Sequence, residues 1–385
     1  MLRIKTIRRK EPLGWGSFLL FGLSFSLSLA VCALLLHCYG KDGLLGIFLL
    51  LKGGFGDSYA LVDTFLKAIP IFLCSLGVAV CFKMQVWNIG AEGQFTLGAI
   101  GGALVVILLP TAPAWVLVPG MLLGGMAGGA LWGAVPAGLR LGFGMNEIIS
   151  SLMLNYIAIF ILDYLVFGPW IDPMGSGMPE TAAFPPAAVL PVFFERIHAG
   201  ILVCVIVAVA LGIFFAKSRL GYEIMATGMN EQAARYAGIP CARLTLLVFC
   251  LCGALAGLAG IIEASATVGK LRPSLLAGYG YTAIVVAWLA KLKITRIVFF
   301  SFLLAGLRVG VEALQLDLGI PAPFARVIEG TILLLVLVFQ FFETYAWRFW
   351  GRPESGQKGD SGQDMGSGAT GPVHLATGTV REVAP

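Results

Sequence analysis

Long apolar segments separated by short polar connections make up most of residues 15–346. A membrane-spanning helix needs roughly 20 mostly apolar residues, and ten segments approach or meet that length. They are 15–38, 64–82, 87–109, 114–139, 148–167, 199–216, 244–262, 275–290, 297–316 and 325–346. Glycine and polar residues interrupt two of them, 87–109 and 275–290. The pattern predicts an all-α, polytopic membrane protein with about ten transmembrane helices.

Composition leads to the same class. The chain is 58% hydrophobic and 12% charged, with a mean hydropathy of +0.90, whereas about 25% of residues are charged in a typical soluble domain. The net charge of +5 is modest, which argues against a nucleic-acid-binding surface. Eight cysteines have no paired metal-ligand spacing, and the three histidines are scattered. We therefore expect no metal site.

The distribution of Lys and Arg predicts the orientation, because cytoplasmic loops carry an excess of both. With the N-terminus inside, ten crossings place 18 basic residues inside and 7 outside, and Arg308 lies within a predicted span. The predicted organisation is a basic cytoplasmic N-terminus at 1–14 and a transmembrane domain at 15–348. The proline-rich loop 168–198 is then extracytoplasmic, and the segment 217–243 is cytoplasmic. The Gly/Ser-rich tail 349–385 lacks the apolar residues needed for a core and is predicted to be a disordered cytoplasmic extension.

An inverted repeat is possible within the transmembrane domain. The predicted helices at 64–167 and at 244–346 form two groups of four that enter the membrane from opposite sides, as in inverted-topology repeats. Within this scheme, 88–104 and 278–292 are equivalent.

Three separated motifs carry a resemblance to a known family. They are 87–94, then 146–149 followed by 154–158, and finally 228–239. In this order they resemble the permease subunits of bacterial ABC importers of the nucleoside and simple-sugar branch, within the ribose-type and branched-chain amino acid permeases. The resemblance implies a bacterial inner-membrane location and import of a nucleoside or a related small solute.

The cytoplasmic segment 217–243 is predicted to contain a short helix. Gly228 breaks the chain, Asn230 is a good N-cap, and Gly238 followed by Pro240 is a stop signal. The spacing alone fits an ordinary interhelical loop equally well. The resemblance instead implies a coupling helix that contacts the ATPase. The residues implied in that contact are Gly228, Asn230, Ala233, Ala234 and Gly238.

ATP hydrolysis is expected to reside in a partner. No G-x-x-x-x-G-K-[ST] phosphate loop occurs, and the nearest approach, 212–218, has Ala216 in place of the second glycine. We therefore expect this chain to be a pore-forming subunit, not an enzyme, and to bind no cofactor, with ATP and Mg on the ATPase. The resemblance also implies a second permease subunit, identical or homologous, and an extracytoplasmic solute-binding lipoprotein.

Polar and aromatic residues in the spans are candidates for the substrate pathway. Amides supply both donor and acceptor groups, and aromatic faces stack on planar heterocycles. The candidates are Asn88, Glu92, Gln94, Asn155, Tyr156, Tyr279, Tyr281 and Trp288. Tyr and Trp also serve as anchors at membrane interfaces. The alternative function is an ion- or proton-coupled secondary transporter, with the coupling ion on a carboxylate. The carboxylates available for it are Glu92, Glu263, Glu312 and Glu329.

Overall fold

The computed structural model describes residues 3–8, 15–175, 177–194, 196–275 and 278–350. Its helices are α1 (Trp15–Cys38), α2 (Gly43–Phe55), α3 (Ser58–Lys83), α4 (Ala91–Leu108), α5 (Ala114–Phe143), α6 (Glu147–Phe167), α7 (Gly200–Lys217), α8 (Arg219–Met229), α9 (Glu231–Tyr236), α10 (Cys241–Ile262), α11 (Tyr279–Leu289), α12 (Ile294–Leu318) and α13 (Ala322–Thr344). Its strands are β1 (Arg3–Arg8), β2 (Val192–Phe194), β3 (Ile197–His198) and β4 (Tyr345–Trp350). The predicted tail begins just before the end of the described residues, and 351–385 lie outside them.

The chain divides into two compact units. In one unit, β1 and β4 form an antiparallel pair. The other unit contains all the helices. Among the described residues, eight helices are long and apolar enough to cross a membrane. The prediction of an all-α polytopic membrane protein is confirmed, although the predicted number of about ten spans is only approximate.

Helix α2 was absent from the sequence prediction. Helix α2 has 13 residues, fewer than a spanning helix needs, so the length criterion passed over it. Asp42 is the local signal for its start, because the carboxylate accepts hydrogen bonds from the amides of Leu44 and Leu45. Helix α2 packs against α12, where Gly54 meets the backbone of Gly306.

Two predicted spans are shorter in the structure than in the sequence prediction. The predicted span 87–109 becomes helical only at Ala91, and residues 86–89 have no regular secondary structure. The predicted span 275–290 contains only α11, whose 11 residues extend about 16 Å. That length is about half the hydrocarbon thickness of a bilayer. Glycines and polar residues mark both places in the sequence.

Helix α10 lies at the centre of the helical unit, between α3, α4 and α5. A Cβ atom added to Gly253 would overlap the carbonyl oxygen of Gly129 on α5. Small residues therefore let the two backbones approach closely, which is how helices associate where apolar burial gives little driving force. The glycines that face each other on α5 and α10 thus form a packing surface.

Both ends of the helical unit lie on the same side. Helices α1 and α13 pack antiparallel, because Ser24 donates to the carbonyl oxygen of Leu335 and Tyr39 stacks on Phe324 at 4.5 Å. The chain between them must therefore cross a membrane an even number of times. The loop 168–198 contains the β2–β3 hairpin.

Candidate functional site

The first turns of α4 and α11 meet at the carboxylate of Glu92. Its Oε1 accepts a hydrogen bond from the amide of Gly278 at 2.9 Å, and its Oε2 accepts one from the amide of Gly280 at 2.6 Å. First-turn amides have no partner within their own helix, so Glu92 supplies the acceptors that α11 lacks. The carboxyl group also lies at the positive ends of two helix dipoles, which favour its charged form. We call this meeting point the half-helix junction.

Two glycines make the half-helix junction possible. Gly278 has a φ of +81°, a conformation that is costly for residues with a side chain. A Cβ atom on Gly280 would overlap the backbone nitrogen of Glu92. The pattern Gly278-Tyr279-Gly280 therefore reflects a close approach between two segments that lie far apart in the sequence.

Asn155 on α6 connects the same region to a third helix. Its Oδ1 accepts from the amide of Gly93 at 2.8 Å, and its Nδ2 donates to the carbonyl oxygen of Ile89 at 2.9 Å and to Tyr281 Oη at 3.2 Å. Both ends of the amide are thus occupied. Asn155 fixes the extended segment before α4 and orients the Tyr281 hydroxyl group.

Asn88 and Gln94 form a smaller buried pair within the same segment. Asn88 Nδ2 donates to Gln94 Oε1 at 3.1 Å, and Asn88 Oδ1 accepts from the amide of Gly90 at 2.9 Å. Both residues are almost fully buried. They order the turn that leads into α4.

The structure brings most of the predicted pathway residues together. Asn88, Glu92, Gln94, Asn155 and Tyr279 are buried around the half-helix junction, each no more than 3% exposed. The other predicted residues are partly exposed, namely Tyr281 (38%), Trp288 (37%) and Tyr156 (50%). The predicted set therefore divides into a buried polar group and a more exposed aromatic group.

The exposed aromatic side chains of α11 share one face. Tyr281 and Trp288 are seven residues apart, which is close to two helical turns, and the positions between them on this face, Ile284 and Val285, are half-buried. Trp288 stacks on Trp87 with ring centroids 5.3 Å apart and planes at 21°. This face offers flat aromatic surface beside the amide of Asn155.

A charged cluster lies on the other side of Tyr279. Its hydroxyl group donates to Glu263 Oε1 at 3.1 Å, and the guanidinium group of Arg308 lies 4.6 Å from the centre of its ring. Arg308 also lies within 4 Å of carboxylate oxygens of Glu312 and Glu329. Glu263 opens a π-helical turn, Glu263–Val268, at the end of α10, and such turns are frequent at functional sites.

The coupling segment contains two helices, α8 and α9. Asn230 caps α9, because its Oδ1 accepts from the amide of Ala233 at 3.0 Å, and Gly238 ends the segment with a φ of +78°. The predicted N-cap and stop signal are confirmed. An open cleft of about 640 Å³ lies between α8 and α9, and Asn230, Ala233 and Ala234 line part of it.

The predicted chain break at Gly228 is wrong. Gly228 lies inside α8, where a Cβ atom would overlap the carbonyl oxygen of Lys83 at the end of α3. The glycine is required for a close approach between helices, and sequence alone does not distinguish this need from a break. The prediction of a break at Gly228 also left out helix α8, in which this glycine lies.

Several residues of the site were not among the predicted ones. Trp87 opens the first family motif but was not assigned to the pathway, and Ser151 binds the amide of Ile89 at 3.1 Å. Arg308 stood out in the sequence as a charge inside a predicted span. Arg308 could thus be recognised from the sequence alone. The contacts of Trp87 and Ser151 join distant segments, so the sequence does not show them.

Comparison with known proteins identifies the class. Residues 60–337 match the family described as the permease component of branched-chain amino acid transport systems. The chain therefore belongs to this family and is a permease subunit of an ABC importer, with ATP hydrolysis in a separate subunit. Importers of this family have ATPase and solute-binding partners in general.

Three relatives illustrate the range of the family. The glucose ABC transporter permease protein TsgB13 of Haloferax volcanii is 35% identical over 75% of this chain and 79% of its own length. The guanosine ABC transporter permease protein NupP of Bacillus subtilis is 30% identical over 85% of this chain and 93% of its own. The nucleoside ABC transporter permease protein NupB of Lactococcus lactis is 28% identical over 77% and 87%.

Proposed function

We propose that this ABC importer permease carries a nucleoside or a related small solute, such as a simple sugar or a purine-like heterocycle. The observation that carries the proposal is the exposed face of α11, where Tyr281 and Trp288 lie beside Asn155. Aromatic faces stack on planar rings, and hydroxyl and amide groups bind polar substituents. The relatives named for guanosine, nucleosides and glucose fit the same range of solutes.

In this proposal the importer contains two permease subunits, two ATPases and an extracytoplasmic solute-binding lipoprotein. The ATPase docks on the segment 228–239, whose cleft lies on the side where α3 ends and α4 begins. ATP and Mg bind to the ATPase, and this chain binds no cofactor. Closure of the ATPases on ATP moves α8 and α9 and changes access to the route beside α11.

We place the chain in the bacterial cytoplasmic membrane with both termini and the segment 217–243 inside. The antiparallel packing of α1 on α13 supports the even number of crossings that this requires. Loop 168–198 then lies outside. Cysteines introduced at Met174 and Tyr236, which are 96% and 94% exposed, should react with an impermeant thiol reagent outside the cell and only after lysis, respectively. The parent protein controls for labelling of the exposed Cys38, and the opposite pattern would invert the orientation.

The carboxylates proposed for a secondary transporter have other partners. Glu92 binds two backbone amides, and Glu263 binds Tyr279 and Thr267. Glu312 pairs with Lys67, and Glu329 lies 3.7 Å from Arg308. These contacts favour structural roles for the four carboxylates over reversible ion binding.

Uptake by the complex purified from its native membrane tests the proposal. The complex is reconstituted in proteoliposomes with labelled guanosine or glucose, and ATP and the proton gradient are controlled separately. We expect ATP-dependent, vanadate-sensitive uptake of guanosine, reduced by other unlabelled nucleosides. Uptake of glucose alone would exclude the nucleoside, and protonophore-sensitive uptake without ATP would exclude the ABC mechanism.

A further inference from the structure

Helix α8 of the coupling segment meets the backbone at the end of α3 at Gly228. A Cβ atom on Gly228 would overlap the carbonyl oxygen of Lys83 and lie 3.1 Å from the Cα atom of Met84. No side chain at this position separates the two helices. A displacement of α8 towards α3 therefore pushes against residues 83 and 84.

A short extended segment leads from this contact to the half-helix junction. Helix α3 ends at Lys83. In the turn that follows, Gln85 has a φ of +60°, and the amide of Val86 donates to the carbonyl oxygen of Cys81. Residues 86–89 make no helical hydrogen bonds, and Gly90 precedes α4. Six residues, 85–90, thus separate the α8 contact at residues 83 and 84 from the first turn of α4, which holds Glu92.

Trp87 lies in the middle of the extended segment and faces α11. Its ring stacks on Trp288, and Phe82 lies against both rings at 5.1 and 5.8 Å. The stack therefore fills the space between the segment and α11 at the end nearer the coupling segment. Tyr281, two turns away on the same face of α11, lies near the half-helix junction.

We propose that the stack of Trp87 on Trp288 is the gate at the coupling-segment end of the translocation route, and that α8 moves it through Gly228 and Lys83. The inference rests on the proposed function. Trp87 lies outside the helices, so it can shift without breaking a helical ladder of backbone hydrogen bonds, whereas Ser151 and Asn155 hold Ile89 two residues further on. An aromatic stack also closes a passage with apolar surface and can separate and reform without breaking a buried ion pair.

Leakage without ATP distinguishes a gate from a structural contact. In proteoliposomes loaded with the solute that the native complex carries, guanosine or glucose, Trp288→Ala and Trp87→Ala should raise ATP-free efflux about tenfold, a size within the effects of single changes on coupled networks. Trp115→Ala is the matched control, since Trp115 on α5 is 79% exposed. If both tryptophan variants are folded and monodisperse and their ATP-free efflux equals that of the parent protein, the gate proposal is wrong.

The link to α8 is tested by Gly228→Ala, with Gly212→Ala as control. A Cβ atom on Gly212 in α7 meets nothing within 4 Å. We expect Gly228→Ala to lower solute transported per ATP hydrolysed about tenfold relative to the control. Equal ratios in the two variants would remove Gly228 from the mechanism.

A reversible cross-link covers the case in which the alanine variants do not fold. Trp87→Cys combined with Trp288→Cys, joined by a short methanethiosulfonate cross-linker, should block ATP-driven uptake, and a reductant should restore it. Each single cysteine variant controls for reaction with native thiols. Uptake that continues in the cross-linked protein would overturn the gate.

The two proposals fail in different ways. If the native complex takes up solute without ATP, the proposed function fails. If its uptake requires ATP but the stack variants do not leak and the cross-link is harmless, only the gate fails.

Discussion

The half-helix junction and the coupling segment each contain a helix whose first-turn amides need a hydrogen-bond acceptor, but the acceptor comes from a different part of the chain in each. In both, a polar side chain caps the first turn of a helix. At the coupling segment, Asn230 caps α9 by accepting from the amide of Ala233, three residues further along the chain. At the half-helix junction, Glu92 caps α11 across a separation of 186 and 188 residues.

The difference in burial gives the two caps different consequences. Most of α9 is exposed to solvent, so water can replace a lost cap. Glu92 is only 2% exposed, and an unpaired amide at that depth has no water to bind. We therefore expect the half-helix junction to control the folding of the permease and the coupling segment to control transport.

The largest expected effect follows the loss of the Glu92 carboxylate. Glu92→Leu leaves the amides of Gly278 and Gly280 without acceptors, at a cost of about 1–3 kcal/mol for each. Glu92→Gln keeps one oxygen acceptor and should retain most of the transport. Thermal unfolding and ATP-driven uptake of both variants measure the difference.

Glu180→Leu is a suitable control for Glu92→Leu. Glu180 pairs with Lys270 in a partly exposed position, with side-chain exposures of 17% and 30%, and such pairs contribute about 0–1 kcal/mol. If Glu92→Leu and Glu180→Leu lower the free energy of unfolding equally, the burial of Glu92 and its contacts with a distant segment do not make it more important than a partly exposed ion pair. A Glu92→Gln variant that loses all accumulation would instead support the secondary transporter.

A smaller effect is expected from Asn155→Leu. The change leaves the amide of Gly93 and the carbonyl oxygen of Ile89 unpaired, at about 1–3 kcal/mol for each. The hydrogen bonds that are lost join neutral groups, and such bonds are weaker than those to a carboxylate. Unfolding measurements should place it below Glu92→Leu. If Asn155→Leu is the more destabilising of the two, Asn155 is the principal connection of the half-helix junction.

Sequence reasoning predicted local features better than distant ones. The N-cap at Asn230 and the stop at Gly238 depend on residues within the same short segment, so they could be predicted. The partners of Glu92 and the stack of Trp87 on Trp288 depend on how α11 meets the segment before α4. These contacts do not involve neighbours in the chain. The sequence therefore pointed to Glu92, Trp87 and Trp288 through its motifs and polar residues, but it could not show what they contact.

Gly228 and α2 show the same limit in the fold. A glycine within a cytoplasmic segment indicates a break unless a close approach between helices is known, and here α3 provides that approach. The 13 residues of α2 fall below the length that identifies a spanning helix. The packing of α2 on α12 through Gly54 and Gly306 is again a contact between distant segments.

Loss of transport without loss of stability is the effect that we expect from changes in the coupling segment. Ala234 is 5% exposed and lines the cleft between α8 and α9, so the long charged side chain of Ala234→Arg must project into the cleft. We expect transport per ATP to fall about tenfold while the unfolding temperature stays close to that of the parent. Gln232→Arg, an exposed position on the same helix, is the control and should have a smaller effect.

Normal transport by a well-expressed Ala234→Arg protein would remove the cleft from the docking surface. If Gln232→Arg uncouples transport as strongly as Ala234→Arg, the contact with the ATPase also includes the opposite face of α9. Either result would be visible in the ratio of uptake to ATP hydrolysis.

The smallest expected effect is on the cap of α9 itself. Asn230→Ala removes the acceptor for the amide of Ala233, and the loss of an N-cap typically costs about 1 kcal/mol. Because α9 is a six-residue helix, we expect this cost to appear as faster amide exchange in α9 and a modest loss of coupling, with global unfolding unchanged. Asn230→Asp preserves the acceptor and adds a negative charge at the helix N-terminus, which is favourable, so it should restore both. If Asp fails as Ala does, the Asn230 side chain contacts the partner instead of capping the helix, and the coupling segment then depends on a distant contact, as the half-helix junction does.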